Sequence, residues 1–541
     1  MSGADRRSTL RDLFLVALFA ALSGLSGLFV VPPLDRDESR FVQATTQMIE
    51  TGDYVRIRFQ DEERNKKPVG IHWLQAASVS MLADVEDRPL WAYRLPSLLG
   101  AVLAALFTYW AGCTLFGRRA GIVAALLLAS APIVAAEASI AKTDAALLGA
   151  VCCMQAALAS LWANRKGRLG PALGFWIALG AGVLIKGPIA PLIAALTVGT
   201  LAVAGRRRGL DWLRRLRPLT GLLVLGLMLA PWFVAIGVVT DGRFYAEAIG
   251  TDMLGKVGAA QERHAGPPGY HLLLLPLLFW PASLVLPAAL RWAAGARAAP
   301  SVLFCLAWLV PAWLVFELSS TKLPHYPMVA YPALALLAGG FLTSGRLADF
   351  KRWRWGSAVL YALVGLVAAA AGPALLAQYR TGGVPAWSFG LSGLVLLGTL
   401  GALLLARTAP LRAGLVASAT SAGLAWVLFQ AVLPSLDVLA VSPRLSAFLE
   451  SEGVHPRLDG APDVSLAGYS EPSAVFLLGT TTRLTDGAGA AVWLGTSGHV
   501  AVVERRALPD VTETRATVLG SVTGLNYSNG KTVELIVLRA E

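Results

Sequence analysis

VPPLDRDESRFVQATTQMIETGDYVRIRFQDEERNKKPVGIHW, Val31 to Trp73, is a densely charged segment between two long apolar regions. It places Asp37, Glu38 and Arg40 just past the first apolar run. It then brings Arg64, Lys66 and Lys67 back immediately before the chain turns apolar again at Pro68. Charged groups held where a membrane span meets water pack poorly but are good ligands for phosphate or sugar. On this reading the rest of the chain is a scaffold that keeps the segment on one side of a membrane.

Composition agrees with a membrane scaffold. The 541 residues are 55% hydrophobic and 15% charged, against about 25% charged in ordinary soluble domains, and mean hydropathy is +0.60. Apolar runs of helix-spanning length recur as far as Pro434. The run from Leu13 to Val31 is too long, and too well followed by others, to be only a signal peptide. The net charge of +12 comes from short Arg and Lys clusters between spans, which membrane topology explains better than nucleic-acid binding does. Cys113, Cys152, Cys153 and Cys305 lie in apolar runs without ligand spacing and read as small buried side chains. The chain has no Walker, GxGxxG, zinc-finger or helix-turn-helix pattern, so nucleotide-driven chemistry has no support.

Arg6, Arg7 and Arg11 precede the first run and set the amino terminus in the cytoplasm by charge bias. Basic turns at Arg118, Arg165, Arg206, Arg291, Arg346 and Arg407 then alternate with outer loops. The stretch from Pro171 to Ala204 has basic flanks at both ends and is broken at Lys186, Gly187 and Pro188. Two short spans hinged there satisfy the charge rule, whereas one long span does not. The expectation is about thirteen transmembrane helices in residues 1–440, with 31–73 as an outer juxtamembrane loop. From 441 to 541, short Val-rich runs punctuated by Gly, Asp, Asn and Ser predict a soluble α/β domain on the outer side.

Asp37, Glu38, Arg40, Lys67, Asp144, Lys186, His264 and Lys322 all fall on the outer face in this topology. A site for a lipid-borne phosphate needs cations near the headgroup plane, and Arg40, Lys67, Lys186 and Lys322 are candidates. Asp37 or Glu38 can serve as a general base toward a sugar hydroxyl, with interfacial solvation or helix capping as the alternative role. Lys186 interrupts an otherwise uncharged run, where an ammonium needs a partner or an aqueous cavity. Asp144 is either functional or an N-cap of the fourth span, and His264 is a substrate contact or an exposed loop residue.

LDRDESRF (34–41), TGDYV (51–55), KKPVGIHWL (66–74), AKTDAAL (141–147), LIKGP (184–188) and SSTKLPHYPMVAYPALAL (319–336) occur in order along the chain. Together they resemble the integral-membrane glycosyltransferases of the aminoarabinose transferase and dolichyl-phosphate-mannose protein mannosyltransferase group, over about residues 10–440. The resemblance implies a mostly α, polytopic GT-C fold and an inverting transfer of a pentose or hexose from undecaprenyl phosphate. The expected acceptor is lipid A or another envelope glycan, and the expected place is the periplasmic face of a bacterial inner membrane. Protein O-mannosylation and lipid-linked sugar flipping are the alternatives. It also implies that Asp37, Glu38 and Asp144 are catalytic, that Arg40, Lys67, Lys186 and Lys322 bind donor or phosphate, and that His264 corresponds to a loop histidine.

Two positions depart from the group. Its members carry Glu immediately before the lysine of their KPP motif, as a metal ligand together with the loop histidine; here Lys66 stands there, and Val69 replaces the second proline. An ammonium does not replace a carboxylate as a hard ligand. No cofactor is therefore required on this reading, and a divalent metal and aminoarabinose as donor sugar are both placed in doubt.

Overall fold

The computed structural model describes residues 3–34, 36–163, 168–205, 209–248, 250, 266–380, 382–511 and 514–541. It is mostly helical, with a β-sheet unit at its carboxyl end. Helix α1 (Gly3–Gly24) leads to α2 (Arg36–Thr51), whose first turn carries Asp37 and Glu38 next to the positive end of the helix dipole. A two-residue antiparallel ribbon, β1 (Arg58–Phe59) with β2 (Glu62–Glu63), returns the chain to α3 (Gly70–Leu82). The long α4 (Leu90–Leu115) follows; it begins six residues before Pro96, where the sequence placed a clear span, and simply contains that proline.

Helices α5 (Arg118–Ala129) and α6 (Pro132–Ala138) meet at a bend of 63°. Next come α7 (Thr143–Ala163), α8 (Leu169–Lys186) and α9 (Ile189–Ala204). The break between α8 and α9 falls at Gly187 and Pro188, as the basic flanks require. Gly187 holds φ +63°, a conformation glycine reaches without steric cost.

Among the described residues, eight helices are long and apolar enough to cross a membrane, or nine if the bent α5 and α6 are one span. These include α4, α7, α8, Pro218–Val239, Pro300–Leu318, Leu347–Tyr379, Ala386–Thr408 and Pro410–Ser435. The shorter apolar helices α9 and Tyr326–Leu342 stand beside them. The difference from thirteen lies in segments that are short, such as these two, broken between Tyr270–Leu278 and Leu286–Gly295, or charged at one end, as α1 is.

Small residues let the central helices approach closely. Gly100 of α4 faces the backbone of Ala145 and Ala146 in α7, and Gly149 faces Gly100 in return. In lipid, where apolar side chains gain little by leaving their surroundings, such contact supplies packing that the hydrophobic effect does not. The α7 helix is accordingly buried on nearly all sides.

At the carboxyl end, β3 (Val464–Ala467), β4 (Arg483–Thr485), β5 (Val500–Glu504), β6 (Ala516–Asn526) and β7 (Lys531–Ala540) form one sheet in the order β4-β3-β5-β7-β6. β3 is parallel to β4 and β5, and the β5, β7 and β6 pairings are antiparallel. The two Val-rich runs outside these strands are short helices. Pro472 starts one, and Asp486 caps the other by accepting from the Gly489 amide.

A Cβ on Gly100 would lie 2.4 Å from the Ala145 carbonyl oxygen. Gly100→Val is therefore expected to lower the thermal midpoint in detergent by the equivalent of about 1–3 kcal/mol or more. Gly199→Ala, where nothing lies within 4 Å, should not lower it. An unshifted midpoint for Gly100→Val would contradict the close crossing.

Candidate active site

The site is organised on α2, whose 3.6-residue period gives it distinct faces. Glu38 and Val42 look toward α4. Phe41, Ala44 and Met48, on the stripe below Asp37, look toward the loop that ends at Lys67 and toward Val69 and Trp232. Gln43, Gln47 and Glu50 form a third, polar stripe.

The first face is fixed by a buried ion pair. Arg94 of α4 donates from Nε and Nη2 to the two oxygens of Glu38, at 2.8 and 2.9 Å, and both side chains are 1% exposed. The same guanidinium donates from Nη1 to the carbonyls of Leu28 and Val31, and Glu38 also accepts from the Ala141 amide at 2.7 Å. Glu38 therefore does not reach the open side with Asp37; its carboxylate joins the end of the first apolar run, α2, α4 and the loop before α7.

Asp37 is half-exposed and faces Arg64 at 3.5 Å and Arg40 at 3.6 Å. Burial raises its pKa, while Lys67, Arg64, Arg40 and Lys142 lower it; the cations prevail and hold the carboxyl below the usual aspartate value. Beside it a small cleft is lined by Phe41, Ile57, Arg64, Lys66, Lys67 and His72, with the Arg64 and Lys67 charges 5.1 and 5.0 Å from the centre of the Phe41 ring. Burial first, then Arg64 and Lys67, push the His72 pKa down to about 3, so the imidazole is neutral at ordinary pH. The Thr45 hydroxyl donates to Gln75 Oε1 at 2.7 Å, so it accepts from His72 Nδ1 at 2.8 Å.

A second chain of charges runs from the loop before α7 to the end of α8. Lys142 pairs with Glu137 at 3.2 Å, and His325 lies between Glu137, 3.5 Å from Nδ1, and Asp144, 3.6 Å from Nε2. Asp144 accepts from Lys186 at 2.5 Å. The ammonium expected to need a partner thus has one in the first turn of α7, and it also lies 5.7 Å from the centre of the Tyr326 ring. Lys142 also acts to lower the Asp37 pKa, less than Lys67, Arg64 and Arg40 do. Around Asp37 the cations Arg40, Arg64 and Lys67 outnumber the one carboxylate by two, while Lys142 and Lys186 are paired with Glu137 and Asp144. That local positive excess suits an anionic substrate.

The sequence candidates divide accordingly. Asp37, Arg40 and Lys67 gather in one cluster, and Asp144 and Lys186 pair in the other. Lys322 is 8% exposed and donates to the carbonyls of Gly266 and Pro267 at 3.0 and 3.2 Å, with Glu317 at 3.8 Å, so its contacts anchor a loop. His264 lies outside the described residues. Arg94, Glu137, Lys142 and His325 are not among the sequence candidates. Arg94 carried the same signal as Lys186, a lone cation in an apolar stretch, and His325 stands inside the quoted KLPHY segment.

The residues at the position of the group's metal do not fit a cation. Lys66 lines the cleft together with Arg64 and Lys67, and among the described residues no group of three or more His, Cys, Asp or Glu side chains could hold a metal ion. No step is routed through one.

Residues 66–234 match the family model described as dolichyl-phosphate-mannose-protein mannosyltransferase. The undecaprenyl phosphate-alpha-4-amino-4-deoxy-L-arabinose arabinosyl transferase of Aeromonas hydrophila is 29% identical over 357 residues, 63% of this chain and 62% of that protein. Its counterpart in Edwardsiella ictaluri is 27% identical over 402 residues, 71% of this chain and 70% of that protein. The crystal structure of ArnT from Cupriavidus metallidurans bound to undecaprenyl phosphate superposes with a TM-score of 0.76 at 20% identity, over 100% of this chain and 99% of that one. The match spans less than two thirds of the Aeromonas relative. The class that the fold defines is the polytopic membrane fold of GT-C type. In sequence the chain is similar to the aminoarabinose transferases and, over residues 66–234, to the mannosyltransferase family model.

Removing one partner of a buried ion pair strands the other charge. Arg94→Met is expected to cost about 3–5 kcal/mol, read as loss of folded protein on size-exclusion chromatography or a lower thermal midpoint. The double variant Glu38→Gln with Arg94→Met should recover part of this because no charge is stranded. Wild-type stability in the single variant would remove the pair from its structural role.

Proposed function

We propose that the protein is an inverting glycosyltransferase moving a sugar from undecaprenyl phosphate to lipid A or another envelope acceptor, at the periplasmic face of a bacterial inner membrane. The observation that carries this reading is the joined cluster in which Asp37 is held ionised beside Arg40, Arg64 and Lys67. Its partner is the Glu137, Lys142, His325, Asp144 and Lys186 chain a short distance away in the electrostatic sense.

The chemistry follows from those charges. An acceptor oxygen attacks the anomeric carbon from the face opposite the phosphate. As the new C–O bond forms, the bond to the bridging oxygen breaks and its electron pair stays on undecaprenyl phosphate. Arg40, Arg64 and Lys67 hold the donor phosphate, and Lys186 meets the charge that grows on the leaving oxygen; preset donors gain most where charge develops. If the acceptor is a hydroxyl, its proton passes to Asp37, whose lowered pKa keeps it unprotonated at neutral pH. If the acceptor is a phosphate, Asp37 orients the cations instead. Asp144 and His325 act on Lys186 by fixing its ammonium. Glu38 is reassigned as a positioning residue, because its carboxylate is bound by Arg94.

The same proposal includes thirteen crossings: α1, α4, bent α5 and α6, α7, α8, α9, 218–239, broken 270–295, 300–318, 326–342, 351–379, 386–408 and 410–435. The amino terminus is then cytoplasmic, residues 1–440 form the membrane domain, and 441–541 are a periplasmic α/β domain. Support for the shared side comes from hydrogen bonds between segment 36–60 and Thr480 and Thr482.

Purified protein, an undecaprenyl-phosphate sugar and lipid A in detergent should yield glycosylated lipid A, detected by mass spectrometry. Asp37→Asn is expected to lower turnover roughly 10²-fold or more with a hydroxyl acceptor, and Lys186→Met by about 10²-fold. Because the Asp37 pKa is lowered, the basic carboxylate persists as pH falls to the ordinary aspartate value near 3.8 and is lost below it. The acid limb assigned to this group should therefore lie below that value. Near-normal turnover in both folded variants would remove the site assignment, and an unchanged envelope-glycan profile in a deletion strain would remove the reaction.

A further inference from the structure

The third face of α2 has no part in the chemistry above, yet it holds a dense polar network. Gln43, Gln47 and Glu50 recur at helical spacing, and Gln43 and Gln47 are buried. Burying such groups costs free energy unless each finds a hydrogen bond. For Gln43 the carboxyl-terminal unit supplies it. The Thr480 hydroxyl accepts from Gln43 Nε2 at 2.9 Å and donates to Glu50 Oε2 at 2.7 Å, bridging two residues seven apart on one face. Arg88 closes the same pair from the opposite side, donating to Gln43 Oε1 at 3.0 Å and Glu50 Oε1 at 2.7 Å.

Gln47 exchanges two hydrogen bonds with the Gln60 backbone, at 2.6 and 2.9 Å. The Gln60 amide then donates to the Thr482 and Thr480 carbonyls, at 2.5 and 3.2 Å, from a backbone held at φ 54°, an unusual conformation for a residue other than glycine. The apolar contact runs the same way. Phe476 is fully buried beside Val42 of α2 and edge-on to Tyr93, with Arg88 over its ring. At the other end of α2, Arg36 pairs at 3.2 Å with Glu471, a 5%-exposed carboxylate that also accepts from Asn526 and Ser528. Arg36 immediately precedes Asp37.

We infer that the carboxyl-terminal unit is a clamp on α2, in which Thr480 and Glu471 act with the Glu38–Arg94 pair to set the helix's rotation and thereby the position of Asp37; they are positioning residues for the transfer. The geometry favours a clamp over an independent appended module because the contacts grip α2 at both ends, on a face distinct from the one carrying Asp37. A rotation of α2 by a fraction of a turn leaves every covalent bond intact and moves Asp37 away from Arg64 and Arg40. Displacements of about 1 Å from such causes can lower rates roughly 10²-fold. The statement about Asp37 rests on the transferase reading, while the clamp itself does not.

The test uses the full-length protein in detergent with two variants. Thr480→Val keeps the shape and removes the hydroxyl; Thr480→Ser keeps the hydroxyl. Hydrogen exchange of residues 36–51 should rise in Thr480→Val and stay at the wild-type level in Thr480→Ser, with exchange of α7 unchanged in both. With an undecaprenyl-phosphate sugar and lipid A, kcat should fall about tenfold in Thr480→Val, with KM for the donor within about twofold of wild type, and Thr480→Ser should restore it. Unchanged exchange in α2 overturns the clamp, whatever the activity. Raised exchange with normal kcat overturns its link to Asp37. If wild-type protein shows no transfer while exchange behaves as stated, the clamp stands and the transferase reading fails.

Discussion

Glu38 and Arg94 are both charged, both buried, and bound to each other through two hydrogen bonds. An ion pair in such a place is costly to desolvate and is retained only with good geometry and further hydrogen bonds. Here those bonds go to the backbone of the segment after α1 and to the Ala141 amide ahead of α7. One interaction thus gathers four separate parts of the chain at the membrane boundary. Because Glu38 is locked, its neighbour Asp37 must point about 100° away around the helix, toward Arg40 and Arg64. The candidate site depends on that division of labour between adjacent carboxylates.

The membrane explains why the remaining charges come in chains. A cation near the end of a span is stable only beside a counter-charge or water, and Lys186 meets Asp144 while Lys142 meets Glu137, with His325 between the two carboxylates. These pairings restrain the ammonium groups without cancelling the cluster's positive excess. In the proposed transfer, an anionic donor would enter a field that is already oriented, with little reorganisation left for the moment of reaction.

Much of this was legible in the chain. The apolar run lengths, the break at Lys186 to Pro188, the sheet-forming carboxyl end and the concentration of charge between Val31 and Trp73 are local properties, readable from composition and spacing. Asp37, Arg40, Lys67, Asp144 and Lys186 are marked by charge beside apolar sequence; Asp37 faces Arg40, and Asp144 pairs with Lys186 in a second cluster. Lys322 carried the same mark, but its ammonium is satisfied by loop carbonyls. Arg94 was overlooked because a single basic residue between prolines reads as a span boundary, whereas the helix runs through it.

The sequence by itself determined that the chain crosses a membrane repeatedly, that its charges gather at span ends, and that a small sheet follows, because hydropathy and turn chemistry act over tens of residues. Tertiary structure alone decided which of two adjacent carboxylates is buried. It also decided that Arg94 and His325 belong with residues far away in sequence, and that Gln43 meets Thr480 and Gln47 the Gln60 backbone rather than water. Those outcomes turn on which helix face meets which neighbour, and a rotation of 100° per residue converts adjacency in sequence into opposite surroundings in space.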